Sequence, residues 1–431
     1  MKVLLRRVKS VANDRITRVL FYDQTLKKGY VSLASFSKLF VLRRILVTLV
    51  AYPLSLVCWV FLVLLNLFTP VRIYSFKRPQ RPGAASVYIE QLEPLCRELQ
   101  TTGHKGFLIF IDASETTNLE LLKLYATHFN LYFDDRVRFL RTIFSLIPKS
   151  GFPNTFLNYS CYDKDWLLPP AIKLGREKHN EIPKVISELN LEPNKFVILT
   201  YRSISYDSKY LKSASAEINR YSDISKAKDA IKLIHDKGLK TVRMGVDTDE
   251  LHDSLKELPI IDLSGKFRTD AQDLWLSKNC LFLWGINGVG TWHFAHKYNR
   301  PTLVTNNYAL VRGFQHTLFG FQLIWDGSKN RLLSISEMAA LRGVTGKVPE
   351  MMAHGLTFVE NSASELVASV TEMLKFVDNK LVYSQQDLSL LAHFSEALVK
   401  SGYPSVLKEH SRPSISFLKD HQTALFGHAT T

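Results

Sequence analysis

At 431 residues, with 46% apolar side chains, 11% aromatics and ordinary numbers of Pro (16) and Gly (20), the chain can build two globular units and is too rich in core-forming residues for disorder. Its formal charge of +15 is concentrated at one end, because Met1 to Pro82 carries 15 Lys and Arg against only Asp14 and Asp23. The remainder is close to neutral, so the basic excess gives no reason to expect a nucleic-acid partner.

What the basic residues flank is Ile45 to Phe68, an uncharged apolar run long enough to cross ~30 Å of hydrocarbon as a helix. It is too long, starts too late and lacks the small-residue cleavage site of a secretory signal, which leaves a membrane anchor, with a buried core helix as the alternative. Eleven Lys and Arg precede it and four follow, which favours a cytoplasmic N-terminus. Pro53 removes a helix hydrogen bond within the run, which allows it to kink, re-enter or lie at the interface. The basic flanks would hold anionic lipid headgroups. Residues 1–44 therefore read as a basic segment and 45–70 as the anchor.

After a Pro- and Gly-containing linker from Lys77 to Ser86, a first α/β unit is expected over residues 84–185. Gly106 to Asp112 reads as a strand, Thr116 to Phe129 as a helix and Leu131 to Phe133 as a strand. A second unit, 190–380, alternates more clearly. Strands are predicted at Lys195–Tyr201, Leu239–Met244, Pro259–Leu263, Cys280–Trp284 and Pro301–Thr305. Helices are predicted at Ser225–Lys237, Thr269–Lys278 and about Val289–Tyr298. That alternation means a doubly wound parallel sheet with ligands at the carboxyl ends of its strands. Residues 381–431 read as a helical segment.

The loops after those strands carry the candidate chemistry. Gly285, Asn287, Gly288, Gly290 and Thr291 form a turn between strand and helix whose amides can approach a phosphate, with tight backbone packing as the alternative. Its spacing is GxxGxG and no acid follows until Asp326, which disfavours a nicotinamide site. Arg202, Arg243 and Arg268 each stand at a strand end, where a guanidinium can clamp a diphosphate bidentately. Asp112 and Glu115 follow the first strand of the N-terminal unit and are candidates for a catalytic base, or equally for helix caps. His293 and His296 share a helix face without a third ligand, and Cys58, Cys96, Cys161 and Cys280 make no CxxC pair, so no metal is expected.

Phe196 to Glu365 resembles a family of bacterial glycosyltransferases encoded with surface-polysaccharide genes. The matching segments are Tyr201-Arg202, the RYSDI of Arg220 to Ile224 with Asp223, the RMG of Arg243 to Gly245, and IDLSGKFRTD through Arg268 and Asp270. GINGVG from Gly285, NRPTLVTN ending at Asn306 and TFVENSASEL containing Glu360 complete them. The resemblance implies a GT-B-like α/β fold, two Rossmann-like domains facing a cleft, with a fucosyltransferase-like donor half. It implies a nucleotide-sugar donor, a lipid-linked or oligosaccharide acceptor and no cofactor. Arg202 takes the donor-phosphate role by carry-over, and Asp223 or Glu360 would hold ribose or sugar hydroxyls. A cytoplasmic donor pool then places the body on the cytoplasmic side of a bacterial inner membrane. Two segments depart from the family: Tyr201-Arg202-Ser203 stands where VRD is common, and Ile286-Asn287-Gly288 where Ser-Ser-Gly is common. A sugar-nucleotide epimerase or hydrolase of the same fold, or a non-catalytic membrane scaffold, remains the alternative.

Overall fold

Period-two burial along one strand explains the architecture: on Phe196–Thr200, Phe196 and Ile198 enter one apolar cluster while Val197 and Leu199 enter another. A strand that is apolar on both faces needs cover on both faces, which is the requirement of a doubly wound sheet. The computed structural model meets it. It describes residues 53–54, 56–57, 60–61, 64, 72–75, 85–103, 107–112, 118–134, 170, 184–202, 222–245, 250–265, 268–287, 292–307, 309–310, 316–341, 348–402 and 411–427.

In chain order the elements are β1 (Arg72–Ser75), α1 (Ala85–Thr102), β2 (Phe107–Asp112), α2 (Leu119–Ala126), β3 (Leu131–Asp134), α3 (Lys184–Glu188), β4 (Phe196–Thr200), α4 (Lys228–Asp236), β5 (Lys240–Arg243), β6 (Ile260–Asp262) and α5 (Asp270–Asn279). They continue with β7 (Phe282–Ile286), α6 (Trp292–Lys297), β8 (Thr302–Asn307), β9 (Thr317–Phe321), β10 (Leu323–Asp326), β11 (Arg331–Leu332), α7 (Ile335–Ala340), α8 (Val348–Ala353) and β12 (Leu356–Val359). The last are α9 (Ala363–Val377), α10 (Gln385–Lys400), β13 (Ser411–Pro413), α11 (Ile415–Asp420) and α12 (Gln422–Phe426).

Two compact units result. The first comprises residues 1–79, 103–116 and 125–158; the second comprises 80–102, 117–124 and 159–431. Within the first, β1, β2 and β3 form a parallel sheet in that order, with Asp112 paired to Asp134 at its carboxyl end. Within the second, seven parallel strands run β13-β9-β8-β7-β4-β5-β6. A small antiparallel sheet, β11-β10-β12, stands beside them. β4 is followed in sequence by β5 on one side and has β7 on the other, so the strand order reverses between β4 and β7.

Helix ends are set by local chemistry. Thr269 with Gln272, Ser334 with Glu337, Ser362 with Glu365 and Ser384 with Asp387 each form a capping box at the starts of α5, α7, α9 and α10. A cap of this kind is worth about 1 kcal/mol. α1 is an element the linker composition concealed; although it lies between β1 and β2 in sequence, it packs in the second unit, on α6. β13 brings the C-terminal segment into the large sheet beside β9, so that segment contributes a strand as well as helices.

Most of the apolar run Ile45–Phe68 lies outside the described residues. Pro53, Leu54, Leu56, Val57, Val60, Phe61 and Leu64 are helical, and the six after Pro53 are 40–66% exposed. Among the described residues no helix is long and apolar enough to cross a membrane.

Candidate functional site

The carboxyl edge of the large sheet is assembled by strand register. Thr200 pairs with Gly285, Leu199 with Arg243, Arg243 with Asp262, and Ile286 with Thr305, so the expected loops all leave from one edge of one sheet. The strand order reverses between β4 and β7, and such a switch point is the usual ligand position in open α/β sheets. Tyr201 and Arg202 leave β4 there, both half-buried, and Asn287 leaves β7. Thr200 Oγ1 is buried with no hydrogen-bond partner among the described residues, and a Cβ placed on Gly285 would lie 3.6 Å from it.

Asn287 is buried and takes a left-handed conformation (φ 62°), which an Asn side chain tolerates better than most. Its backbone N–H donates to Thr305 O at 2.8 Å, and its Nδ2 donates to Ser222 Oγ at 3.1 Å. Ser222 precedes Asp223, whose Oδ1 accepts from Ser225 N and Ser225 Oγ and caps the 3-10 turn Ile224–Ala227. Those bonds, the Ser225 hydroxyl first, hold the Asp223 carboxyl below its ordinary range. The Asp223 N–H donates in turn to the Glu360 carboxylate (3.2 and 3.3 Å), which also pairs with Lys226 Nζ at 2.9 Å. Asp223, Asn287 and Glu360 are therefore brought together beside the β4–β7 switch through Ser222.

The arginines stand on neighbouring strands but differ in their partners. Arg243 is 2% exposed; its Nη1 is 2.9 Å from Asp262 Oδ2, and its guanidinium lies 4.8 Å from the Tyr201 ring. It thereby ties the ends of β4, β5 and β6 together. Gly245 follows two residues later at φ 155°, accepting from Gly265 N at 3.1 Å. Arg268 is engaged by two carboxylates at the start of α5: Nε to Asp273 Oδ2 at 2.7 Å and Nη2 to Asp270 Oδ1 at 3.2 Å. Burial pushes the Asp273 carboxyl up to about 6 although Arg268 opposes the shift.

Asn306, expected among donor ligands, uses its side-chain oxygen to accept from Asn361 N at 2.5 Å. Asp112 ends β2 in the first unit. Glu115, Arg220, Gly288, Gly290 and Thr291 lie outside the described residues. His293 and His296 are buried, with ring centroids 6.1 Å apart, and His296 Nε2 is 3.1 Å from Thr317 Oγ1. Among the described residues no three His, Cys, Asp or Glu side chains gather as a metal would require. Cys96 and Cys280 are buried free thiols, and burial raises Cys280 to about 12.

No protein-family profile matches the chain, and no curated protein matches it. Solved structures do. A glycosyl transferase family 9 protein from Veillonella parvula is similar at 11% identity and TM-score 0.44, over 71% of this chain and 97% of its own. The dodecameric iron-containing heptosyltransferase TibC, in complex with ADP-D-beta-D-heptose, is similar at 12% identity and TM-score 0.32, over 55% of this chain and 58% of its own. The ADP-heptose LPS heptosyltransferase II of E. coli is similar at 14% identity and TM-score 0.32, over 54% of this chain and 84% of its own. These structural neighbours are glycosyltransferases.

Thr200, Ser222 and Asp262 belong to this edge and were not among the expected ligands. Asp262 was the most legible of them: in Asp262-Leu263-Ser264 its Oδ1 accepts from Ser264 N at 3.0 Å and Ser264 Oγ at 2.6 Å, the short-range pattern of an Asx turn. The Thr200 hydroxyl is placed by sheet order, and the Ser222 hydroxyl by its bond from Asn287, 65 residues away in sequence.

Proposed function

We propose that the chain is a GT-B glycosyltransferase that moves a sugar from a nucleotide-sugar donor to a lipid-linked or saccharide acceptor in surface-polysaccharide synthesis. One observation carries the reading: the β4–β7 switch brings Thr200, Arg202, Gly285 and Asn287 to one edge of a doubly wound sheet. In this reading Arg202 neutralises the donor diphosphate, and amides and Asn287 at the Gly285 to Thr291 turn take its remaining oxygens. Asp223 and Glu360 accept from ribose or sugar hydroxyls. The acceptor hydroxyl oxygen forms its bond to the anomeric carbon as the bond from that carbon to the diphosphate oxygen breaks. The acceptor proton passes to a base, for which Asp112 and Glu115 are the candidates, and the nucleoside diphosphate leaves. No metal enters this scheme, because cationic side chains and amides carry the leaving-group charge.

The exposed apolar side chains from Leu54 to Leu64, with the basic residues around them, support attachment to the inner membrane with the body on the cytoplasmic side. A fucosyltransferase-like donor half, with a second Rossmann-like domain in the same chain, belongs to the same proposal. A second reading, a scaffold that keeps the fold without turnover, is favoured by the carboxylates on Arg243 and Arg268, which leave these two cations already paired.

The test is thermal stabilisation by a panel of ADP-, UDP-, GDP- and CMP-sugars, followed by calorimetry with Arg202→Ala. Stabilisation by one class and at least tenfold weaker binding by a folded variant support the proposal. Unchanged binding by the variant removes Arg202 from the donor site, and a chain that binds none of the panel fits the scaffold.

A further inference from the structure

We propose that the groove walled by β10, β11, α7, α10 and α12 binds an uncharged saccharide, and that it holds the acceptor glycan for transfer; the second clause rests on the glycosyltransferase reading, the first does not. The groove has a volume of about 740 Å³ and lies wholly within the second unit. Small-molecule sites usually occupy roughly 300–1,000 Å³. Its walls include Trp325 and Phe426, both half-buried, the ion pair of Arg331 and Glu337, and the exposed residues Ser336 and Thr423. Arg331 Nη1 donates to Glu337 Oε2 at 2.8 Å and Nη2 to Glu337 Oε1 at 2.6 Å, while Glu337 also accepts from Ser334 N at 2.9 Å in the capping box of α7. The guanidinium is thereby held in one orientation at the wall of the groove.

Each class of ligand meets this lining differently. Arg331 and Glu337 cancel, and no other residue of the lining is charged, so a phosphate or a nucleotide finds no net positive charge. Arg331 beside Glu337 holds that carboxyl well below its usual range, which keeps the pair ionised and the cancellation intact. An acyl chain or an apolar helix would cover the ion pair and the hydroxyls without replacing their bonds to water, which is unfavourable. A saccharide offers both kinds of surface at once. The C–H groups on one face of a pyranose pack on an aromatic ring, and the hydroxyls around its rim exchange hydrogen bonds with a guanidinium, a carboxylate and other hydroxyls. The position suits an acceptor as well. Trp325 pairs with Thr357 across β10 and β12, and Glu360, where the proposed donor presents its hydroxyls, follows three residues later. Three residues of extended chain span about 10 Å. A saccharide of a few units covers that length, with one end at the donor and the preceding units in the groove.

The probes are short neutral oligosaccharides of glucose, galactose, mannose and rhamnose, titrated by calorimetry into the full chain, with an oligoglucuronate and inorganic pyrophosphate as anionic controls. At least one neutral probe is expected to bind, and the anionic ones at least tenfold more weakly. Trp325→Leu removes the flat ring, and Arg331→Met removes the fork from an exposed side chain. Each should weaken binding of the neutral probe at least tenfold while nucleotide-sugar affinity stays within twofold of the parent. Should Trp325→Leu fail to fold, Arg331→Met carries the same comparison. A panel without a neutral binder, anionic probes that bind as well as neutral ones, or neutral binding unchanged in the folded variants overturns the proposal. Saccharide binding by a chain that binds no nucleotide sugar upholds the groove and sinks the transfer reading. Nucleotide-sugar binding without saccharide binding does the reverse.

Discussion

Asn306 and Asn361 exchange hydrogen bonds: the Asn306 N–H donates to Asn361 Oδ1 at 2.7 Å, and the Asn361 N–H donates to Asn306 Oδ1 at 2.5 Å. Asn361 Nδ2 also donates to Phe321 O at 3.2 Å, so one buried side chain joins the ends of β8 and β9 to the residues leading into α9. Asn306 takes φ 52° to present these groups. Asn361→Ala leaves a buried N–H and a buried carbonyl unsatisfied, which should cost about 2–4 kcal/mol in chemical denaturation. A loss below about 0.5 kcal/mol would mean the pair contributes little to the fold.

Asp273 makes stability depend on pH in a predictable direction. Its folded carboxyl is pushed up to about 6 by burial, above the ordinary value near 4, so the folded state holds the proton more tightly than the unfolded chain does. That contribution is fully present below about pH 4 and is lost as pH rises through about 6, to the extent of roughly 3 kcal/mol for a two-unit shift. Asp273→Asn removes the titration. Relative to the parent, the variant should gain stability between pH 4 and 6 and follow a constant difference above that. A difference curve that is flat from pH 4 to 7 contradicts the assignment.

The large sheet was legible because its strands declare themselves. Phe196–Thr200 and Phe282–Ile286 are apolar runs, and Lys240–Arg243, Ile260–Asp262 and Thr302–Asn307 follow turn signals at Gly238, Pro259 and Pro301, so local pattern was enough. α1 was not legible, because Pro94 lies inside it and its buried Glu93 and Arg97 interrupt the apolar face. Only a partner 200 residues away in sequence, the Lys297 carbonyl, explains why those charges are inside. The same distinction runs through the site. Strand-end arginines can be counted in a sequence, but whether each meets a phosphate or a carboxylate depends on loops folding back. Asp262 on Arg243 and Asp273 on Arg268 are 19 and 5 residues away, and neither spacing announces a pair. β13 joins β9 through register alone, since Ser411–Pro413 is too short for periodicity to mark it.

Glu372 on α9 holds the C-terminal segment. Its carboxylate accepts from Ser414 Oγ at 2.7 Å and Ile415 N at 2.9 Å, and from Tyr383 OH at 3.1 Å, all around a side chain that is itself buried. Burial and the neighbouring Glu372 charge raise the Tyr383 hydroxyl, which keeps it a donor. Glu372→Ala strands these donors and should cost about 2–4 kcal/mol, concentrated where α11 and β13 attach. Hydrogen exchange should quicken first between residues 411 and 420, before β4 or β7 responds. Simultaneous loss of protection in the central strands would show that the segment is no separate cooperative unit.

Gly285 separates packing from binding at the β4–β7 switch. It is buried and its φ is not in the left-handed region, and an added Cβ would meet Thr200 Oγ1 at 3.6 Å and the Leu283 side chain at 3.7 Å, both ordinary van der Waals distances. Neither backbone conformation nor the described packing therefore demands glycine, so Gly285→Ala should fold with a change in stability within about 1 kcal/mol. A methyl group there would nevertheless occupy space beside Thr200 Oγ1, where the proposed diphosphate approaches. The expected result is a melting temperature close to that of the parent together with at least tenfold weaker nucleotide-sugar binding by calorimetry. If affinity is retained, the ligand does not approach this part of the strand edge, and the donor position must move toward the residues beyond Asn287.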